Sequence, residues 1–96
     1  MDLRTAQEAV AMKLQARGVG GADGVLILES ATIEKPYGWV FFYNSRRYIE
    51  TGDMVHALIG QGPVIVVATT GEIIELGSAI PAAAAISQAE SKLGLA

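Results

Sequence analysis

Cysteine is absent from this 96-residue chain, histidine occurs once, and charged residues are scarce. Without cysteine there is neither a disulfide nor thiolate chemistry, and a cytoplasmic location is the default expectation. The single histidine, His56, has no cysteine or second histidine to join it in a metal site or a catalytic pair. We therefore expect no bound metal and no cofactor.

Clustered positive charge and long apolar runs are also missing. Seven Lys and Arg residues against ten Asp and Glu residues give a net charge of −3, whereas nucleic-acid binding normally needs a clustered basic surface. The longest apolar run, Pro63 to Ala68, is too short to cross a membrane. The opening residues lack the basic and apolar regions of a signal peptide. Neither nucleic acid, nor a membrane, nor a targeting segment is expected.

Hydrophobic residues, by contrast, are plentiful. They make up 51% of the chain, and the mean hydropathy is +0.37. A chain of this length folds as one domain, here residues 1–96, and has a thin margin of stability. We expect it to carry more apolar surface than its own core can hide.

Two segments have the pattern of amphipathic helices. The first is predicted from about Thr5 to Arg17, with a Thr5-x-x-Glu8 capping box or, as an alternative, Asp2 as N-cap, and with Gly18 at its end. The second follows Pro81, has apolar residues at helical spacing, and stops at Gly94. These are the N- and C-terminal helices of the predicted fold.

All six aromatic residues fall between Tyr37 and Tyr48, around a predicted first hairpin. A strand from Val25 to Lys35 leads into Pro36-Tyr37-Gly38, which suits a three-residue loop with glycine at the bulge. This loop pairs Lys35 with Trp39, Ile33 with Phe41 and Ala31 with Tyr43. In this register Trp39, Phe41 and Tyr43 face the core together with Ile27, Ala31 and Ile33.

A second hairpin is predicted from Val64–Ala68 and Glu72–Leu76, around Thr69-Thr70-Gly71. Opposing Ala68 with Glu72 groups Val64, Val66, Ile74 and Leu76 on one face. Between the hairpins we expect a turn at residues 44–46, a short strand from Tyr48 to Glu50, and a helical turn from Met54 to Ile59 that Asp53 caps and Gly60 ends.

The predicted fold is therefore α+β, with an antiparallel sheet of about four strands in two hairpins and both helices packed on one face. The other face then carries an exposed apolar cluster: Val40, Phe42, Ile65, Val67 and Ile73. A cluster of this size favours a partner or a homodimer. The alternative is that a C-terminal segment or the Met54–Ile59 turn covers it.

The chain offers little that indicates an enzyme. Glu50 and Asp53 are better explained as a strand-end charge and a helix cap than as an acid/base pair. Gly60-Gln61-Gly62-Pro63 lacks the Gly-Lys-Ser/Thr ending of a phosphate-binding loop. None of the serines lies in a Gly-x-Ser-x-Gly context. No catalytic residue is predicted.

An ordered set of motifs resembles a known family. They are Gly38-Trp39-Val40-Phe41-Phe42-Tyr43-Asn44-Ser45, Tyr48-Ile49-Glu50-Thr51-Gly52-Asp53, Gly60-x-Gly62-Pro63 and Thr70-Gly71-Glu72-Ile73. Together they resemble the immunity protein 35 family, which includes the YrhB-type small heat-stable proteins of bacteria. The resemblance covers about Tyr37 to Gly77 and extends loosely to the flanking helices.

The resemblance implies a cytoplasmic α+β protein that binds and neutralises a cognate toxin of a polymorphic toxin system. The YrhB-type members imply a second activity, the chaperone-like holding of unfolded proteins. A small enzyme is the third interpretation, and the resemblance does not imply it. The family brings no catalytic residues. The predicted partner-binding residues lie in the first hairpin turn, the 46–53 segment and the outer sheet face: Tyr37, Arg46, Arg47, Tyr48, Glu50, Asp53, Val40 and Phe42.

Overall fold

The computed structural model describes residues 1–95, which form three α-helices and six short strands. The helices are α1 (Leu3–Ala16), α2 (Arg46–Thr51) and α3 (Ala82–Leu93). The strands are β1 (Val25–Ile27), β2 (Ile33–Lys35), β3 (Gly38–Phe41), β4 (Tyr43–Ser45), β5 (Val64–Val67) and β6 (Ile73–Glu75). Short 3-10 turns occupy Gly21–Asp23, Glu29–Ala31 and Met54–His56.

The strands form two antiparallel sheets. Four of them pair in the order β2-β3-β5-β6, and β1 pairs with β4 in a second, two-stranded sheet. The larger sheet is built from the two predicted hairpins, β2-β3 and β5-β6. The α+β class, the four-stranded antiparallel sheet and the helices near each end of the chain are therefore confirmed.

The first helix begins earlier than its capping box predicts. The Asp2 carboxylate accepts a hydrogen bond from the Thr5 amide at 2.8 Å, so the alternative N-cap is the one used and α1 starts at Leu3. This bond is the main reason that the pKa of Asp2 is lowered. The helix ends as expected at Gly18, which has a φ of 77°. Its buried face consists of Ala6, Val10 and Leu14.

The predicted strand from Val25 to Lys35 is wrong, because the chain changes sheets within it. The 3-10 turn Glu29–Ala31 separates β1 from β2, and the Leu28 amide donates to the Phe42 carbonyl at the same crossover. Glu, Ser and Ala favour strands poorly, which suits them to this break. Ala31 is exposed rather than part of the core.

The predicted register of the first hairpin is wrong by one residue. Lys35 pairs with Gly38 and Ile33 with Val40, so the loop contains only Pro36 and Tyr37. Ile33 consequently shares the Val40 face and is 38% exposed. Phe41 and Tyr43 are buried as predicted, and Trp39 is half-buried beside them.

The second hairpin is also one residue out of the predicted register. Val66 pairs with Ile73 and Val64 with Glu75, so every side chain of β6 lies on the face opposite to the one predicted. Ile73 packs with the α1 cluster, while Ile74 packs on the other side. The glycine of the turn is confirmed in its role, since Gly71 has a φ of 75°.

The two terminal helices lie on opposite faces of the large sheet, which corrects their predicted placement on one face. One buried cluster joins α1 to Phe41, Tyr43, Val64 and Val66. The other joins Ile86 and Ala89 of α3 to Val40, Ile65 and Val67. The continuous apolar run of β5 fits this arrangement, because a strand covered on both faces does not alternate.

The apolar face that was predicted to be exposed is therefore covered by α3. This agrees with the alternative prediction that a C-terminal segment covers it. Val40 and Ile65 are completely buried and Val67 is 8% exposed. The homodimer was predicted because this face was expected to be exposed, so that argument for it no longer holds. Pro81 precedes α3 and Gly94, with a φ of 68°, ends it, in agreement with the sequence.

Candidate functional site

Five of the predicted partner-binding residues come together on α2 and the turn that follows it. The predicted turn at residues 44–46 and strand Tyr48–Glu50 are wrong: β4 runs into α2, which Gly52 ends with a φ of 72°. Arg46, Arg47, Glu50 and Asp53 are exposed and Tyr48 is half-buried. The 46–53 segment is thus a short surface helix with its capping residue.

Two polar residues at the end of β4 position this helix. The Ser45 hydroxyl accepts from the Tyr48 amide at 3.0 Å as N-cap, and donates to the His56 carbonyl. The Asn44 side chain accepts from the amides of Ser45 and Leu58, each at 2.8 Å. Ser45 is only 4% exposed. Both ends of the 46–58 stretch are therefore fixed to the same strand.

The two arginines are engaged by the loop that precedes β1. Arg47 Nη1 lies 3.6 Å from Asp23 Oδ2, and Arg46 Nε donates to the Asp23 carbonyl at 3.2 Å. The Arg46 amide also donates to the Gly24 carbonyl. The positive charges of both arginines thus face this loop. Glu50 and Asp53, later in the same segment, present exposed carboxylates.

Asp53 is confirmed as a cap, although the turn it caps is shorter than predicted. Its carboxylate accepts from the Val55 amide at 3.0 Å, and the 3-10 turn ends at His56 rather than continuing to Ile59. Met54 and Val55 within this turn are 69% and 82% exposed, and Ile59 beyond it is 93% exposed. We call these three side chains the 54–59 ridge.

A shallow groove runs beside the ridge. Its walls are the Gly18–Asp23 loop on one side and residues 55–58 on the other, and Ser45 and Arg47 contribute to its lining. A second pocket of about 390 Å³ lies near the start of α3 and contains Phe42, Leu28, Ile80 and Gln61. Phe42 is thus half-buried in a pocket wall.

The other two predicted contact residues lie elsewhere. Val40 is completely buried under α3 and offers no surface. The Tyr37 hydroxyl donates to Glu90 Oε2 at 2.7 Å, and Lys35 Nζ lies 3.0 Å from the same oxygen. Burial, followed by this hydrogen bond, raises the pKa of Tyr37, and the two partners lower the pKa of Glu90. Tyr37 therefore fastens the first hairpin to α3.

Replacement of Tyr37 by phenylalanine should lower the free energy of unfolding at pH 7 by about 1.5 kcal/mol, the lower end for loss of a hydrogen bond to a charged group, because the site is only partly buried. The folded-state pKa of Glu90 is depressed, so its contribution is present above the ordinary glutamate value of about 4.5 and is lost as the pH falls through the folded-state value. The difference from wild type should accordingly shrink in acid.

Urea unfolding at a series of pH values measures this effect. Tyr48→Phe is the matched control, because within residues 1–95 the Tyr48 hydroxyl has no hydrogen-bond partner while its ring is half-buried. A Tyr37→Phe difference that is the same at pH 7 and at pH 3 would argue against a role for the Glu90 charge.

Within residues 1–95 no group of three or more His, Cys, Asp or Glu side chains is arranged to hold a metal ion. None of the helices described there has the length and hydropathy that a membrane crossing requires. The arrangement around α2 presents hydrogen-bonding groups, charges and aliphatic side chains on a fixed backbone, which are the elements of a protein-binding surface.

A family model described as Immunity protein 35 matches residues 4–91, which include all six strands, α2 and most of α1 and α3. The chain belongs to the immunity protein 35 family. The resemblance carried by the motifs between Gly38 and Ile73 is thereby confirmed, and the match extends to both terminal helices. An immunity-type function is supported at the level of the family.

One curated relative of this immunity protein 35 chain is a protein of Escherichia coli (strain K12) named "Uncharacterized protein YrhB". The two are 43% identical over 44 residues, which is 46% of this chain and 47% of the relative. The match therefore spans about half the length of each protein. No solved structure matches the chain significantly.

The 54–59 ridge and the Asn44-Ser45 pair were not among the predicted site residues of this immunity protein. The ridge lacks a sequence signal, because exposed and buried aliphatic residues look alike in one sequence. Ser45 did have a sequence signal. A serine at position 45 and a glycine seven residues after it, at Gly52, have the spacing of a short helix with a serine N-cap and a glycine at its end.

Proposed function

We propose that this protein binds and neutralises a cognate toxin of a polymorphic toxin system, in the cytoplasm of the cell that makes it. The observation that carries the proposal is the immunity protein 35 match over residues 4–91. In this proposal residues 1–96 act as one immunity-type domain, and inhibition results from occupation of a toxin surface rather than from a reaction.

The contact surface in this proposal is centred on the 46–53 segment. Arg46, Arg47, Glu50 and Asp53 are exposed there, and the Asn44-Ser45 pair fixes the backbone that carries them. A surface already ordered before binding loses less conformational entropy when the complex forms. The proposed contact surface excludes Tyr37, because its hydroxyl is hydrogen-bonded to Glu90, and Val40, because it is buried.

The chaperone-like alternative has less support. It needs accessible apolar surface of some extent, and the largest such surface expected from the sequence, which included Val40, Ile65 and Val67, is covered by α3. Toxin binding needs only a specific patch. We therefore retain toxin neutralisation as the proposed function.

The proposal is tested by capture of the partner from the protein's own strain, followed by co-expression of the captured toxin with wild-type or His56→Gln protein. Protection by the His56→Gln protein should follow whatever affinity for the toxin it retains, since inhibition by binding requires no catalytic histidine. Circular dichroism verifies folding. A folded His56→Gln protein that no longer protects, while still binding the toxin, would show that inhibition involves chemistry.

A further inference from the structure

The 54–59 ridge is an unusual feature for so small a molecule. Val55 and Ile59, at 82% and 93%, are the two most exposed large hydrophobic side chains in residues 1–95, and Met54 is 69% exposed. All three lie within six residues of the chain, and exposed apolar side chains grouped in this way mark an interaction site on a monomer more often than single ones do. Nothing in the packing of the sheet requires them to be apolar.

The backbone of the ridge is held in place, so the side chains cannot simply fold inward. The Val55 amide donates to the Asp53 carboxylate at 3.0 Å, and the His56 amide donates to the Asp53 carbonyl, also at 3.0 Å. Farther along, the Leu58 amide donates to Asn44 at 2.8 Å. The ridge is thus displayed in an ordered form, which lowers the entropic cost of binding.

Negative charge flanks the ridge. Glu50 and Asp53 are exposed, and within residues 1–95 neither carboxylate has a basic side chain within ion-pair distance. The nearby Arg47 is paired with Asp23 instead. Opposite charges across an interface direct the encounter and fix its register, so the surface fits a partner that supplies the missing cations.

We propose that the 54–59 ridge inserts into an apolar cleft of the toxin whose rim carries Lys or Arg side chains that meet Glu50 and Asp53. The groove between residues 55–58 and the Gly18–Asp23 loop receives the part of the toxin that borders this cleft. This inference rests on the proposed toxin-binding function and specifies the surface and the chemistry of the partner.

The apolar part is tested with purified toxin domain, identified by capture on the wild-type protein and by the suppression of its toxicity. Ile59→Asp should weaken binding at least a hundredfold, because it places a charge where the cleft is apolar. Met12→Asp is the control: Met12 is 70% exposed on α1 and lies outside the groove lining. Its affinity should stay within about threefold of wild type.

The electrostatic part is tested with the double variant Glu50→Gln, Asp53→Asn, in which asparagine preserves the N-cap. Its association rate at low salt should fall about tenfold, and the rate should depend less on salt than in wild type. Glu29→Gln with Glu34→Gln removes the same charge from exposed positions on another part of the chain, and should change the rate less than twofold. Equal effects of the two double variants would overturn the charge pairing.

Failure of this inference is distinguishable from failure of the proposed function. If wild-type protein neutralises the toxin and Ile59→Asp does so with unchanged affinity, the ridge is not the contact and the inference is wrong, while the function stands. If wild-type protein captures no protein whose toxicity it suppresses, both are wrong. If Ile59→Asp abolishes only self-association, seen by light scattering, the ridge joins copies of this chain and the inference is again wrong.

Discussion

Replacement of Phe41 by alanine should lower the free energy of unfolding by roughly 3–5 kcal/mol, the loss typical of a large aromatic side chain deleted from a packed core. Phe41 is completely buried and belongs to the cluster that α1 forms with β5, including Val10, Leu14 and Val64. The variant removes contacts between helix and sheet at once and leaves a cavity. Urea unfolding followed by circular dichroism measures the loss.

Trp39→Ala is the control for this prediction. Trp39 lies two residues away on the same strand and the same face, but it is only half-buried at the edge of the cluster. Its replacement should therefore be less damaging than that of Phe41, although the side chain is larger. A greater loss for Trp39 would mean that the centre of the α1 cluster lies nearer the hairpin turn than the structure places it.

The elements predicted well are those whose signals are local. The apolar spacing of α1 and α3, the glycines at positions 18, 71 and 94, and the capping role of Asp53 each depend on residues within about one turn of the chain. Such signals are present in the sequence itself. The α+β class followed from them together with the two hairpin patterns.

Both hairpin registers were wrong by one residue, and for the first hairpin the reason lies outside the local sequence. Pro36-Tyr37-Gly38 is compatible with a two-residue or a three-residue loop. The choice depends on a third strand, because Gly38 lies opposite Val67 of β5 in a ladder that leaves no room for a side chain. A one-residue shift moves a side chain to the other face, which is how Ile33 came to be expected in the core.

The placement of the helices and the division of the first strand are likewise decided by distant residues. The four residues of β5 are all buried, a pattern that indicates cover on both faces, and the C-terminal helix is the element long enough to provide the second cover. At Leu28 the chain changes sheets by bonding to Phe42, a contact between residues fourteen positions apart. The apolar run of β5 is a local sign that both faces are covered but does not say which helix covers each face, and the change of sheet at Leu28 leaves no pattern within one element.

The candidate site was located from the sequence in part. The 46–53 segment was singled out by its charges and the family motif around it. In the structure Arg46 to Thr51 share one short helix, and Asp53 caps the turn that follows it. The predicted strand there was wrong, because a six-residue helix is too short to show a period. The 54–59 ridge was missed because its residues are aliphatic, and aliphatic residues are ordinarily assigned to the interior.

The close approach of β3 and β5 gives the last prediction. Gly38→Ala should lower the free energy of unfolding by roughly 3 kcal/mol or more, at the upper end of what overpacking costs. A Cβ at this position would collide with the Val66 carbonyl oxygen, so the central pair of strands must separate to admit it. Because β3 lies between the α1 cluster and the α3 cluster, the separation disturbs both faces of the sheet.

Gly71→Ala is the comparison at a glycine that also has a positive φ but whose added Cβ would meet no backbone atom. Gly71 also has a positive φ, +75° against +153° for Gly38, but its Cβ would meet only the flexible end of Met1 at 3.4 Å. Its replacement should therefore lower the free energy of unfolding by only about 1 kcal/mol, the strain of a left-handed alanine. Urea unfolding of the two variants under identical conditions gives the comparison. Equal losses would mean that β3 and β5 can part without penalty, and that the register of the whole sheet is set elsewhere than at Gly38.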